Sequence, residues 1–532
     1  MIYAGLRRLD PCIVILLLLT IFGLVLRIYG LGYQSFWYDE GYTVNAALAM
    51  LDNGWPILPS GNFYGHGLLN TGLTAASMGL FGETEAAARL PSVLFGAATI
   101  PLVFFFTRRI CDKKTALIAS VLLTFSIVEI AWSRQARMYQ LLQFFYILSL
   151  YCFYLFTQER RNRYLTLTIL STICAVLTHT FAFSLILIYL IYLFFTDIKD
   201  IKRYLSKDFL KRKQTVIFAA CVVILLVLGE VFFNVFSRVW GIKMNYFEEY
   251  STYLKEVFPI VFYMGIVGLL VMLRDNLKPA ILLLLALVVP FYIICFHVQM
   301  LSFRYMYFLL PIFFLSCGYV ITYISDLLSS LMARRSGVGA EPAAPHDEAS
   351  PPPQMRRRTQ MSKYLSPAFA VIILGLAMYP SGFNITPQNT HYLDWTAPQP
   401  DFKHAYGFIN DNLGDGDVVI DTWPAVGSFY LNDAPDYWLA FDIAGTDGVY
   451  CIGGDESRDV YTNTPCIKDL NTLEGIVNES GSGWLVMEGL ASFRLPDATM
   501  EFIEGNLSLY DEGSVMTPAG QIQVYGWNNG NN

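Results

Sequence analysis

The 532-residue chain is 55% hydrophobic, only 15% charged and carries a net charge of −7. A soluble globular protein would have about 25% charged residues, so these proportions argue against a soluble fold and for one embedded in a bilayer. The charge is unevenly spread: residues 381–532 hold 4 Lys/Arg against 22 Asp/Glu, whereas residues 1–380 hold 32 against 21, which splits the chain into a basic apolar part and an acidic tail.

The first apolar run, 12–29, follows Arg7 and Arg8 as a signal peptide would, but no small-residue cleavage site follows it, so it reads as a retained anchor. Further runs near 91–107, 115–132, 139–157, 164–178, 180–196, 215–234, 257–273, 279–296, 306–328 and 364–380 bring the expectation to about eleven transmembrane helices, eleven to thirteen at the outside. With the N-terminus in the cytoplasm, the clusters at Arg108/Arg109, Arg160/Arg161/Arg163, 199–213 and 334–363 all fall inside, in keeping with the positive-inside rule. Counting the short run 66–81 as a span would invert that arrangement, so it is assigned to an interfacial helix on the outer surface. The expected protein is therefore a multi-pass plasma-membrane protein with its C-terminal part outside the cytoplasm.

The first external loop, 30–90, opens with FWYDEGY at 36–42, an adjacent pair of acids, Asp39 and Glu40, ringed by aromatics. The plain reading is that the pair caps a helix beginning near Gly41; the functional one is that a carboxylate there takes a proton from an attacking hydroxyl. His66 follows in FYGHGLL, and Arg89 in EAAARLP has Glu85 one helical turn before it, which suggests an ordinary helix pair. Glu129 and Glu230 fall near the outer ends of spans, where a carboxylate is a functional suspect. Arg137 and Arg304 stand beside Tyr139 and Tyr305 at outer boundaries, so snorkelling competes with binding of a lipid phosphate. His179 in LTHTF lacks any paired metal-ligand spacing and fits a structural histidine better than a metal ligand.

The segment 334–363 is rich in Pro, Ala and charge and reads as a disordered cytoplasmic linker. Past residue 380 the pattern changes to short apolar stretches, 418–422, 483–488 and 521–527, with Gly and Asp-Gly turns between them, which suggests a small external α/β domain over 381–532 beside a membrane domain over 1–380. Seven cysteines lie in or next to apolar runs and fit packing, whereas Cys451 and Cys466 stand together in the acidic tail and are candidates for a disulfide in an oxidising compartment.

Taken in order, FWYDEGY (36–42), FGETEAAARLPSVLFGAATIPLVFFFTRR (81–109), SRQARMY (133–139), THTF (178–181) and FRYMYFLLP (303–311) resemble the GT-C glycosyltransferases that use polyprenyl-phosphate sugars, in particular the protein O-mannosyltransferase and lipid A aminoarabinose transferase superfamily. The resemblance implies a GT-C fold and an inverting transfer of a sugar, a mannose-like hexose or another hexose or pentose, from a polyprenyl or dolichyl phosphate carrier. The acceptor would be a hydroxyl on an extracytoplasmic protein, glycan or glycolipid. It implies Asp39 as the base or its orienting partner with Glu40 beside it, and Arg137 and Arg304 on the donor phosphate; His66, Glu129, Tyr139, His179 and Tyr305 stand beside these as further pocket candidates from their positions in the sequence. Metal use varies within the superfamily, so a divalent metal is left open and no other cofactor is expected. Where family members often have prolines after the histidine, this chain has Gly67 and Leu68. A secondary transporter is the alternative class, but its ionisable groups would sit near mid-membrane in repeated halves, and the sequence shows no repeat. No nucleic-acid partner is expected.

Overall fold

The computed structural model describes residues 10–196, 245–298, 300–335, 353–379, 382–392, 400–440, 451–452, 457–489, 494–518 and 520–528. The expected run 215–234, with Glu230, lies outside the described residues. Two compact units emerge: the first comprises residues 1–26, 95–130 and 139–386, the second residues 27–94, 131–138 and 387–532.

The helices in chain order are α1 (Pro11–Ile28), α2 (Tyr38–Asn53), α3 (Leu68–Phe81), α4 (Glu85–Ile110), α5 (Lys113–Phe125), α6 (Ile127–Ser133), α7 (Tyr139–Glu159), α8 (Asn162–Thr178), α9 (Ser184–Thr196), α10 (Phe247–Val257), α11 (Pro259–Asp275), α12 (Leu277–His297), α13 (Leu310–Arg335), α14 (Pro353–Met378), α15 (Phe402–Asn412), α16 (Pro424–Tyr430), α17 (Leu470–Glu479) and α18 (Asp497–Asn506). Short 3-10 turns at Thr180–Phe183 and Phe303–Leu309 lead into α9 and α13. Among the described residues, five helical stretches are long and apolar enough to cross a membrane: Pro11–Ile28, Glu85–Ile110, Tyr139–Glu159, Leu277–His297 and Phe303–Met332. The pair α10 and α11, bent by 111° at a break where Pro259 opens the second helix, would make a sixth. The apolar run 115–132 is not one rod: α5 ends at Phe125, Ser126 adopts an extended backbone, and α6 starts afresh.

Within the first unit, helices α11 and α13 meet at van der Waals distance because α11 has glycines where α13 crosses it. A Cβ on Gly268 would lie 1.9 Å from the Ser316 carbonyl oxygen, so only a residue without a side chain fits. Such small-residue contacts are how helices associate where burial from water supplies no drive. Polar side chains add bonds between helices: Ser149 of α7 meets Thr172 of α8 and the Tyr189 hydroxyl of α9, each at 2.6 Å.

The second unit is built on a sheet. Strands β1 (Val418–Asp421), β2 (Tyr437–Leu439), β5 (Cys466–Ile467), β6 (Ser482–Glu488), β7 (Ser508–Leu509), β8 (Val515–Thr517) and β9 (Gly520–Asn528) form it in the order β5-β2-β1-β6-β9-β7, with β8 on β9, while β3 (Cys451–Ile452) and β4 (Arg458–Asp459) make a separate hairpin. The first four in that order run parallel and β9 runs antiparallel. Both faces are covered, so neighbours along a strand serve different cores: Ile420, Leu485 and Met487 pack with Leu473, Val477 and Ile503 of α17 and α18, and Val419, Trp484 and Val486 pack with Phe402, Tyr406 and Ile409 of α15.

Helix α2 is seated on this layer. Gly41 permits it, since a Cβ there would lie 2.9 Å from the Ala425 carbonyl oxygen of α16. Asn45 donates to that same oxygen at 2.7 Å, and the Tyr38 ring stacks on Trp423 at 4.5 Å. The glycine of FWYDEGY thus serves docking, and helix α2 begins three residues earlier than the sequence suggests, at Tyr38.

Candidate active site

In the second unit, Asp39 and Glu40 both lie in the first turn of α2, where the positive end of the helix dipole favours acids. Adjacent helical positions point in different directions, and the two carboxylates have different surroundings. Glu40 is fully buried and is held in a two-pronged ion pair by Arg89, Nε to Oε1 at 2.8 Å and Nη2 to Oε2 at 2.7 Å. It also accepts the backbone N–H of Ala136 at 2.7 Å. Arg89 spends its remaining donors on the carbonyls of Leu31, Gln34 and Ser35 and lies over the Phe36 ring, so the guanidinium ties the 31–36 segment, α2 and α4 into one piece. Arg89 is therefore not the surface partner of Glu85; Glu85 instead pairs with Lys403 at 2.9 Å and accepts from Tyr430.

Asp39 faces Arg137, whose Nη2 lies 3.6 Å from the Asp39 carboxylate, and whose Nη1 donates to the Asp39 carbonyl at 2.8 Å, to Thr43 Oγ1 at 2.8 Å and to the Tyr64 hydroxyl at 3.1 Å. Arg137 is buried, which rules out snorkelling. His66 lies edge-on to Tyr64 at 5.6 Å and is exposed, so the cluster has an opening to solvent. Although part of its side chain reaches solvent, the ring is desolvated by the protein on its other side, and this, then the Arg137 charge, hold its imidazole below the usual histidine range, with Asp39 pulling the other way. Arg134, also in SRQARMY, does another job: it is buried and donates to the carbonyls of Arg27, Tyr29, Gly30 and Asn389, capping the end of α1.

In the first unit, four candidates gather. The Arg304 guanidinium lies over the rings of Tyr139 and Tyr305 at 5.7 and 5.6 Å, and His179 lies 5.7 Å from Tyr139 and 6.4 Å from Tyr305. His179 Nδ1 accepts the Phe181 N–H at 3.1 Å, which gives this ring a structural role at the start of the 3-10 turn. Glu129 is buried and accepts from Gln143 Nε2 and the Tyr307 hydroxyl, both at 2.9 Å, while Tyr307 also bonds Gln140. Beside the 303–309 turn lies an apolar cavity of about 310 Å³, reached by Met306 and Leu309 and walled by Leu254, Phe262, Leu284 and Phe291. No group of three or more His, Cys, Asp or Glu suited to a metal occurs among the described residues.

Sequence reasoning missed Thr43, Tyr64 and the role of Arg89. Tyr64 stands two residues before a candidate histidine, which is a weak signal, and the Glu40–Arg89 partnership spans 49 positions with no periodicity to reveal it.

The fold is of the GT-C type. Over 96% of this chain and 97% of the other, it is similar to ArnT from Cupriavidus metallidurans in the apo state, with a TM-score of 0.59 and 15% identity. It is similar to the same protein bound to undecaprenyl phosphate, with a TM-score of 0.57, 15% identity and 97% of each chain covered. It also resembles the Archaeoglobus fulgidus oligosaccharyltransferase tethered to an acceptor peptide, with a TM-score of 0.54, 14% identity, and coverage of 96% of this chain and 73% of that one. Residues 66–230 match the family described as dolichyl-phosphate-mannose-protein mannosyltransferase. The likeness to these solved structures is one of fold, and the several long apolar helices are those of a multi-pass membrane protein. An uncharacterized protein of Aquifex aeolicus (strain VF5) is 31% identical over 169 residues, a match that spans 30% of this chain and about a third of that protein.

Proposed function

We propose that the protein is an inverting glycosyltransferase that moves a sugar from a polyprenyl or dolichyl phosphate carrier to a hydroxyl outside the cytoplasm. The observation that carries this reading is the Asp39–Arg137 pair, beside an exposed histidine, in a chain of GT-C fold. Asp39 takes the proton of the acceptor hydroxyl as its oxygen attacks the anomeric carbon; the bond from that carbon to the carrier's phosphate oxygen breaks, and the phosphate leaves with the electron pair. Arg304, backed by two tyrosine rings, is the residue assigned to the departing phosphate, where a guanidinium offers two parallel donors. The apolar cavity beside the 303–309 turn suits part of an isoprenoid chain. Glu40 has a different task, since both its oxygens are committed to Arg89 and Ala136.

The reading includes about eleven spans, an N-terminus in the cytoplasm and residues 381–532 as an external α/β domain. It takes the acceptor to be a protein, a glycan or a glycolipid. To test it, the purified full chain in lipid nanodiscs is offered a panel of polyprenyl-phosphate hexoses and pentoses with cell-envelope acceptors, and product mass is followed. Transfer from at least one lipid donor with inverted anomeric configuration is the expected outcome; transfer from nucleotide sugars alone would overturn the donor assignment.

A further inference from the structure

A disulfide joins Cys451 to Cys466 and β3 pairs with β4, so the loop 457–466 is tied at its base. The loop is anchored at its far end, because β5 pairs with β2 and Cys466 N donates to Ser457 O at 2.9 Å. Its tip is held rigid by Asp459, a buried acid that accepts the Thr462 N–H at 2.8 Å and the Thr462 hydroxyl at 2.6 Å. A loop so tied presents residues 460–461 in one position. There, the Val460 carbonyl accepts from Ser60 Oγ and, at 3.2 Å, from Asn62 Nδ2, and the Tyr461 ring stacks on Tyr42 at 4.0 Å and meets Tyr64 edge-on at 6.3 Å. Tyr42 is one turn of α2 from Asp39, and the Tyr64 hydroxyl takes a hydrogen bond from Arg137. All of these residues belong to the second unit.

We infer that Tyr461 is a positioning residue for Asp39: its ring clamps Tyr42 and Tyr64, and through the Tyr64 hydroxyl it holds the Arg137 guanidinium against the Asp39 carboxylate. The inference rests on the assignment of Asp39 and Arg137 above. The physical reason is orientational. An ion pair at 3.6 Å is loosely specified by itself, and fixing one partner from a second direction narrows the geometries that the acid can adopt.

Five forms of the full chain test this: wild type, Tyr461→Ala, Tyr461→Phe, Tyr64→Phe and Tyr461→Ala combined with Tyr64→Phe. Tyr461→Ala should lower kcat about tenfold with a smaller change in the KM for the lipid donor, Tyr461→Phe should restore most of the rate, and the double variant should lose little beyond the Tyr461→Ala loss, as coupled neighbours do. A Tyr461→Ala protein with wild-type kcat, or a double variant whose losses multiply, would overturn the inference. Hydrogen exchange gives a readout that does not need turnover. In Tyr461→Ala, exchange should rise at the Leu58 and Tyr64 amides, which bond to Asn62 and Pro56, and stay unchanged in β1 and β6. Unchanged exchange at 58 and 64, or a rise spread over the sheet, would show that the ring serves no local clamp. If no lipid donor supports transfer in the wild type, the proposed function fails while the exchange result still decides the clamp.

Discussion

The two units satisfy a buried carboxylate in different ways. In the first, Glu129 accepts hydrogen bonds from uncharged donors, the Gln143 amide and the Tyr307 hydroxyl. In the second, Glu40 and Asp39 each face an arginine, and those arginines also bind backbone or hydroxyl oxygens nearby. A neutral network can lose its charge and keep its bonds, whereas a buried ion pair that loses one member leaves the other without compensation. The difference teaches which residues are structural: Arg89 uses every donor on protein oxygens, while the Arg137–Asp39 pair is longer and lies beside an exposed histidine.

Breaking the Glu40–Arg89 pair should have the largest effect. Arg89→Ala leaves a fully buried Glu40 unpaired, at a cost of about 3–5 kcal/mol, and should show as loss of folded protein in detergent-solubility and thermal-unfolding measurements. Asp39→Asn should cost less stability than Arg89→Ala, because the residue 39 carbonyl, Thr43 and Tyr64 still hold Arg137, and it should lower turnover about a hundredfold or more, read as the initial rate with a saturating lipid donor. Equal loss of folded protein in both variants would erase the distinction drawn here between the two acids.

A pH experiment probes the second unit alone. Burial pushes the Asp421 carboxyl up to about 7, against the bonds it accepts from Trp423 N–H and Tyr406, and burial with the Arg134 charge holds His391 down to about 4. Between about 4 and 7 the folded state keeps the Asp421 proton that the unfolded chain has lost, so this acid lowers stability as pH rises; over about 4 to 6.5 His391 does the reverse, because only the unfolded chain takes up its proton. The two slopes oppose each other. Asp421→Asn should unmask the histidine, making β1 amide exchange faster by one to two orders of magnitude as pH falls from 6.5 to 4 after correction for intrinsic rates, a change of roughly 1–3 kcal/mol. The smallest effect is expected of Glu129→Gln, where an amide retains the shape and one acceptor; a cost of about 1 kcal/mol in thermal stability, with transfer preserved, would mark it as structural.

Much of the fold was legible because the membrane imposes it: a chain that must bury its backbone bonds in hydrocarbon writes long apolar runs, and a sheet covered on both faces writes short ones. The elements around FWYDEGY, SRQARMY and FRYMYF were legible as places where charge and aromatics coincide, and Tyr139, His179, Arg304 and Tyr305 do meet in the first unit. Partnership was not legible. Arg89 and Glu85 have the spacing of a helix pair, but the carboxylate that meets the guanidinium is 49 positions away, and Tyr461 is separated from Tyr42 by most of the chain.

What the amino-acid order determined by itself was local: which segments are apolar enough to enter a bilayer, and that two acids stand side by side at 39 and 40. Only the tertiary structure decided that these neighbours have different tasks, because successive residues on a helix point about 100° apart and the groups they meet are supplied by distant segments. A one-dimensional pattern records periodicity, which reports burial; it does not record which buried charge finds which partner.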